Sequence, residues 1–402
     1  MNNMLIAEHL KKIKESPTLA VAEKAANMKS SGLHVISLST GEPDFDTPEH
    51  VKEAAVTAIR AGKTKYTAVD GTAELKSAIS HKFSKENNIS YSNNEIIVCT
   101  GAKQVIYNAF VATLDPGDEV IIPAPFWVSY PDMVLLAQGV PKVVQCGIEN
   151  NFKLLPSQLE KAITSRTKWL LLNSPSNPVG SAYTESELRD LMDVVSKHEN
   201  MNVLSDDIYE HVVFNNFKFS TPAEVVPHLK DRILTVNGVS KSYAMTGWRI
   251  GYGAGNKKLI KAMSMIQSQS TSNPCSISQA AAVAALLGPQ DCVKQGAALF
   301  EERLTLVNKL LKDFPALSYV IPDGAFYLFI SCTFAIGKKS SSGRKIANDI
   351  DFASGLLEEG LVAVVPGSAF GMPSYFRISF ATSNENLRVA CSRILDYCAS
   401  IV

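Results

Sequence analysis

The chain has 402 residues, enough for a large core and for two or more domains. Hydrophobic residues make up 46% and charged ones 19%, the balance of an ordinary globular enzyme. Lys+Arg and Asp+Glu stand at 39 each, so no global field draws the chain toward nucleic acid or an anionic membrane. In chain order, residues 1–15 mix Glu8 with Lys11, Lys12 and Lys14 and lack the apolar core of a secretory signal. Thr47, Pro48 and Glu49 predict a helix start, with a capping hydroxyl, proline at the first helical position and an acid in the first turn, and Gly62 predicts its end. "NEIIVCTGAKQVIYNAFVATLDPGDEVIIPA" reads as strand, tight turn, helix, turn and strand, a βαβ unit.

"TKWLLLNSPSNPVG" is a further buried strand running into a loop, and Thr184 with Glu187 forms a capping box for the helix after it. "NVLSDDIYE" and "RILTVNGVSK" are again apolar strands with polar ends. Their hydrophobic residues follow one another without alternation, which suits a parallel sheet covered on both faces. Residues 257–270, 279–287 and 291–314 predict helices, and "ALSYVIPDGAFYLFIS", "LVAVVPG" and "YFRISFA" contain short strands. The expected organisation is a large α/β domain over 48–295 and a smaller α+β domain formed by 1–47 and 296–402. The longest apolar run, 280–287, is too short to span a bilayer. The 7 cysteines are scattered, odd in number and without a CxxC pair, which argues against a disulfide framework or zinc site and for a reducing cytosol.

Ligands of an open parallel sheet bind beyond the carboxyl ends of its strands, so the polar residues there carry the functional reading. The turn Gly101–Ala102 opens a helix and offers free N–H groups to a phosphate, with Arg249 as a charged clamp. Asp206 can hold a protonated ring nitrogen and Tyr209 a ring oxygen, while Trp127 can stack on a flat ring. Lys241 is an amine among small residues just past an apolar strand. A phosphate clamp, a ring stack, an acid for a pyridinium and a lysine for a Schiff base together suit one cofactor, pyridoxal 5'-phosphate. Freed from that linkage, Lys241 is placed to shuttle a proton at the substrate Cα, which requires a neutral amine. Lys103 stands at a helix N-terminus, where a cation is unfavourable to the dipole, and a substrate with a second carboxylate explains it. Other readings are weaker. "GYGAG" lacks the full GxGxxG spacing, Asp206 and Asp207 lack a third metal ligand at convincing spacing, and no HExxH occurs.

"SKSYAMTGWRIG" resembles the cofactor-lysine segment of class-I aminotransferases, and "STGEPDFDTPEHV", "GKTKYTAVDGTAELK", "PAPFWVSYPDMV", "NSPSNPVG", "SDDIYEH", "VVPGSAFG" and "FRISFAT" resemble the same family in its order. The likeness runs from about residue 16 to the C-terminus and is greatest to the prokaryotic-type aspartate aminotransferases. It implies the aspartate-aminotransferase fold, a homodimer with shared sites, a cytoplasmic enzyme, and reversible transamination of L-aspartate and 2-oxoglutarate to oxaloacetate and L-glutamate. The alternative is a broader aromatic or prephenate aminotransferase.

By this resemblance Lys241 is the Schiff-base lysine, Asp206 the partner of the pyridine nitrogen, Tyr209 and Asn177 the partners of the ring oxygen, and Trp127 the stacking ring. Gly101, Ala102 and Arg249 match phosphate contacts, and Tyr66 matches a tyrosine reaching the phosphate of the other subunit. Arg377 matches the arginine that grips the substrate α-carboxylate, Gly41 lies in the loop beside the substrate, and Lys103 matches a lysine for the distal carboxylate. Lys14 matches a lysine associated with accepting prephenate. The pattern departs at Gly238, where many relatives carry a phosphate-binding serine; Ser240 or a backbone N–H is expected to take its place. The same fold also serves carbon–sulfur lyases, decarboxylases and DNA-binding regulators, but 402 residues leave no segment for a DNA-binding domain.

Overall fold

The structure is a computed structural model that describes residues 7–13 and 17–402, so Lys14 lies outside the described residues. Among the described residues the strands are β1 (Ile36–Ser37), β2 (Ile96–Cys99), β3 (Glu119–Ala124), β4 (Val140–Gln145), β5 (Thr167–Asn173), β6 (Asn202–Asp206), β7 (Ile233–Gly238), β8 (Gly251–Ala254), β9 (Tyr327–Ser331), β10 (Val362–Ala363), β11 (Val365–Pro366) and β12 (Tyr375–Ser379). A seven-stranded sheet has the order β2-β8-β7-β6-β5-β3-β4, with only β8 antiparallel to its neighbours. Strands β2, β6 and β7 are buried at every or nearly every position because successive residues enter different cores. Ile96, Val98, Leu170, Leu172 and Val203 pack on one face. Ile97, Cys99, Trp169, Leu171, Leu204 and Leu234 pack on the other. This is the double coverage expected from uninterrupted apolar runs.

The βαβ reading of residues 93–124 holds for its elements but not for adjacency. The helix Ala102–Thr113 carries the chain from β2 to a parallel β3, and four strands lie between them in the sheet. Sequence alone cannot place β8, which inserts beside β2 much later in the chain. Its glycines explain how it fits. A Cβ on Gly251 would lie 2.1 Å from the Ala102 nitrogen, and one on Gly253 would lie 2.6 Å from Val105 Cγ1. "GYGAG" is therefore a strand over which a helix packs closely, not a phosphate loop.

The helix Glu49–Arg60 corrects one local expectation. Thr47 does not cap it; its hydroxyl donates to Ala244 O at 2.8 Å and accepts from Trp248 Nε1 at 3.0 Å, tying the helix entrance to the segment after Lys241. The helix ends as expected: Gly62 sits at φ +70°, with Gly62 N bonded to Ile59 O and Lys63 N to Ala58 O, a Schellman closure.

A smaller antiparallel sheet, β11-β12-β9, and the parallel pair β1–β10 are built largely from the last third of the chain. Residues 36–38 thread between them: Leu38 N bonds Ala363 O at 2.9 Å, and Ser379 N bonds Leu38 O at 2.7 Å. That pairing delivers Ser39, Thr40 and Gly41 to the carboxyl ends of the large sheet. No helix among the described residues is long and apolar enough to cross a membrane.

Candidate active site

A cavity of about 410 Å³ opens where β5, β6 and β7 end, within the range of small-molecule sites. Gly41, Ala102, Lys103, Trp127, Asn177, Asp206, Tyr209, Ser240, Lys241, Arg249 and Arg377 line it. Lys103, Lys241, Arg249 and Arg377 face it as cations, and Asp206 is the carboxylate among its lining residues.

Asp206 ends β6 and is 4% exposed. Tyr130 OH donates to its Oδ2 at 2.6 Å and Ile208 N to its Oδ1 at 3.3 Å. Burial lifts its carboxyl to about 6 against these hydrogen bonds, and the nearby Lys241 opposes the rise. The backbone of the same residue is held by Asn173, whose Nδ2 donates to Asp206 O at 2.8 Å. Asp207 turns away from the cavity and accepts from Ser205 Oγ at 2.6 Å, so the two adjacent acids do not converge on one ligand.

Lys241 lies past the end of β7, and its Nζ donates to Gly41 O at 2.6 Å. The amine is reachable from the cavity but surrounded by protein. Desolvation pulls it down to about 8; Glu42 and Asp206 work against this, and Arg249 and Arg377 reinforce it. Much of the amine is therefore neutral slightly above pH 8, the state needed to accept a proton.

Arg377 sits within β12 and is 2% exposed. Nη1 donates to Asn177 Oδ1 at 2.9 Å and Nη2 to Ser39 O at 2.6 Å, and the guanidinium carbon lies 4.4 Å from the Tyr327 ring centroid. Its Nε has no partner, and among the described residues no carboxylate pairs with it. A buried arginine is usually compensated by an acid. This one is oriented by neutral acceptors and left uncompensated, which suits an anionic ligand. Lys103 Nζ lies 4.8 Å over the Trp127 ring. It stays exposed through the cavity mouth, yet burial and then Arg249 hold its ammonium below the ordinary lysine value.

The turn after β2 has the shape of a phosphate cradle. Gly101 takes φ +85°, and a Cβ there would lie 2.3 Å from Arg249 Nη2, so the guanidinium rests directly over this residue. The helix beginning at Ala102 presents first-turn N–H groups without intrahelical partners. Arg249 is itself steered by a hydrogen bond from Nη1 to Thr246 O at 2.7 Å. Ser240 is 7% exposed on the cavity wall. Gly238 is not on that wall, and a Cβ there would meet Ile250 O at 3.0 Å and Ile208 Cδ1 at 3.2 Å.

Tyr66 is outside the cavity and 90% exposed. The structure also brings residues to the cavity that sequence reasoning passed over. Tyr130 lies three positions after Trp127, with the rings 5.3 Å apart edge to face, and that spacing on a helix start was a usable signal. Tyr327, whose OH shares a 2.8 Å hydrogen bond with Tyr209 OH, gave no signal, since "AFYLFIS" reads as core throughout.

Comparison with known proteins agrees with this geometry. Residues 34–394 match the family aminotransferase class I and II. The chain is 58% identical over 397 residues to a probable aspartate/prephenate aminotransferase of Rickettsia felis, covering 99% of this chain and 97% of that protein. It is 55% identical over 396 residues to the aspartate/prephenate aminotransferase of Cereibacter sphaeroides, covering 98% and 99%. The solved aspartate aminotransferase of Rhizobium meliloti superposes with a TM-score of 0.96 at 52% identity, covering 100% of both chains. That of Thermus thermophilus, solved with maleate, gives 0.91 at 40% identity over 99% of this chain and 100% of that one. The chain belongs to the class I and II aminotransferases, enzymes that work with pyridoxal 5'-phosphate.

Proposed function

We propose that this enzyme transaminates L-aspartate with 2-oxoglutarate, reversibly, to oxaloacetate and L-glutamate. The carrying observation is the charge of the cavity: Lys103, Arg249 and Arg377 stand as cations on its wall, with Asp206 as the carboxylate among its lining residues. That excess matches a phosphate and a two-carboxylate substrate together. The donor set fits the cofactor, since Arg249 over Gly101 makes an anion cradle and Asp206 is a buried acid without an ion-pair partner among the described residues.

The cofactor supplies an electron sink for the pair released when the substrate Cα–H bond breaks. Around it, Arg249 with the Gly101–Ala102 turn would hold the phosphate, Trp127 would cover one ring face, and Tyr209 with Asn177 would bind the ring oxygen. Ser240 joins the phosphate side as a hydroxyl on the cavity wall. Asp206, ionised above about pH 6, would keep a proton on the ring nitrogen. Lys241 Nζ would accept the proton from the substrate Cα, a role its lowered basicity serves. Arg377 would bind the α-carboxylate through its guanidinium, which lines the cavity beside the Gly41 loop. Lys103, a point charge on a flexible stem, would meet the distal carboxylate of either aspartate or glutamate.

Relatives named for aspartate support the substrate, as does maleate, a dicarboxylate, in the Thermus enzyme. A homodimer accounts for the exposure of Tyr66, which would serve the partner's phosphate site. A reducing cytoplasm suits the 7 cysteines, all of them free. The test is a panel of aspartate, glutamate, alanine, tyrosine and prephenate against matched acceptors. Aspartate and glutamate should lead in kcat/KM; repeated turnover to keto acid and ammonia without any acceptor would contradict transamination. Prephenate is a second reading, favoured by the names of the Rickettsia and Cereibacter relatives, and Lys14→Ala should lower prephenate use selectively if it holds.

A further inference from the structure

Behind the wall that carries Tyr209 lies a polar cluster with no assigned part in the chemistry. His211 bridges three elements there. Its Nε2 faces Glu86 Oε2 at 3.0 Å, and its Nδ1 faces Ser242 Oγ at 3.1 Å. Ser242 is the residue after Lys241 and is 6% exposed. A carboxylate only accepts, so Nε2 carries a hydrogen toward Glu86; in the neutral ring Nδ1 then accepts from the Ser242 hydroxyl, with Glu210 Oε1 3.6 Å from the same nitrogen.

Two features say that this bridge is not incidental. The segment carrying Lys241 is a turn, not a regular element, and two of its own backbone hydrogen bonds are long, Tyr243 N to Val239 O at 3.3 Å and Ala244 N to Lys241 O at 3.4 Å, beside Met245 N to Ser240 O at 3.1 Å. Its placement therefore depends on side-chain anchors. Glu86 closes the helix Ala73–Glu86, the end at which a carboxylate opposes the helix dipole, so helix stability does not account for it. Nor is the trio Glu86, Glu210 and His211 a metal site, although its ligand atoms lie within 4.8 Å of one another. The buried Lys82 ammonium already pairs with Glu210 and stands 3.7 Å from Glu86.

We propose that His211 is a positioning residue for Lys241: oriented by Glu86, it anchors the Ser242 hydroxyl and so fixes the turn from which the amine reaches the substrate. The inference rests on the reading of Lys241 as the working amine. Loss of the anchor should loosen the turn and let water reach a group that burial now holds near 8.

The experiment uses Ser242→Ala, His211→Gln and His211→Asn. Glutamine keeps a donor near the Nε2 position and loses Nδ1; asparagine keeps an acceptor near Nδ1. In the holoenzyme, Ser242→Ala and His211→Gln should lower kcat roughly five- to tenfold, the equivalent of one hydrogen bond, with the aspartate KM held within about twofold. In the apoenzyme, the pH dependence of Lys241 acylation, followed by mass spectrometry, should shift its midpoint upward in both. His211→Asn, which keeps the acceptor for Ser242 but not the Glu86 contact, should fall between His211→Gln and the parent in both readouts. The inference is overturned if Ser242→Ala turns over and titrates like the parent, or if asparagine is as damaging as glutamine. Should His211→Gln not fold, Ser242→Ala, which removes one oxygen, decides alone. Turnover surviving in Lys241→Ala would instead sink the reading of Lys241 itself.

Discussion

Lys103→Ser separates two contributions that the structure places on one ammonium group. Nζ lies 4.8 Å over the Trp127 ring, and that cation–π contact is present whichever amino acid binds. At an accessible site it contributes about 0.5–1 kcal/mol, but the free enzyme has it too, so its loss leaves kcat/KM for every donor nearly unchanged. The second contribution exists only when a distal carboxylate arrives. Lys103 has no acidic partner among the described residues, and burial with Arg249 already disfavours its charge, so the substrate would supply the compensation. A charge-assisted hydrogen bond in such a site contributes about 1.5–3 kcal/mol, the lower half applying here because the cavity mouth admits water. For aspartate, kcat/KM should therefore fall roughly 13- to 45-fold, and for alanine no more than about twofold. Steady-state assays with both donors against 2-oxoglutarate give the ratio. Equal losses for aspartate and alanine would refute the assignment and weaken the aspartate reading with it.

Asp206→Asn tests the buried acid by stability. Its folded carboxyl sits at about 6 against an ordinary 3.8, so the folded apoenzyme binds a proton that the unfolded chain releases, and stability falls as pH rises through that window. Asparagine should stabilise the apoenzyme at pH 8 by up to about 3 kcal/mol, with the gain shrinking toward pH 5 in thermal melts; a pH-independent difference would contradict it. Gly101→Ala places a Cβ against Arg249 at φ +85° and should weaken cofactor binding about tenfold by absorbance titration, whereas an unchanged Kd would dismiss the cradle. Mixing Tyr66→Phe with Lys241→Ala subunits should restore activity, because a heterodimer then holds one complete site if Tyr66 acts across the interface; no recovery means it acts within its own chain.

Much of this architecture is legible in the sequence because it depends on local rules. Uninterrupted apolar runs at 96–99 and 233–236 announce doubly covered strands, and the rule that ligands sit past strand ends points to Asp206 and Lys241 before any coordinates. What depends on long-range packing is not legible. The insertion of β8 beside β2 follows from glycines that admit Ala102 and Val105, and "GYGA" alone does not announce it. Thr47 has the sequence of a helix cap but bonds to Ala244 and Trp248, 197 and 201 residues away. At the site, Tyr327 and Ser39 are hidden for the same reason. One sits in a strand whose every residue is buried, and the other contributes only a backbone carbonyl to Arg377.

The central claim is that Lys241 is the amine through which this cavity does its chemistry. Reduction of the holoenzyme with borohydride, followed by digestion and peptide mass mapping, tests it most directly. One pyridoxyl mass addition is expected, on the peptide that contains Lys241, and none in Lys241→Ala. Recovery of that addition on a peptide carrying Lys103 or any other lysine, with Lys241 unmodified, would contradict it.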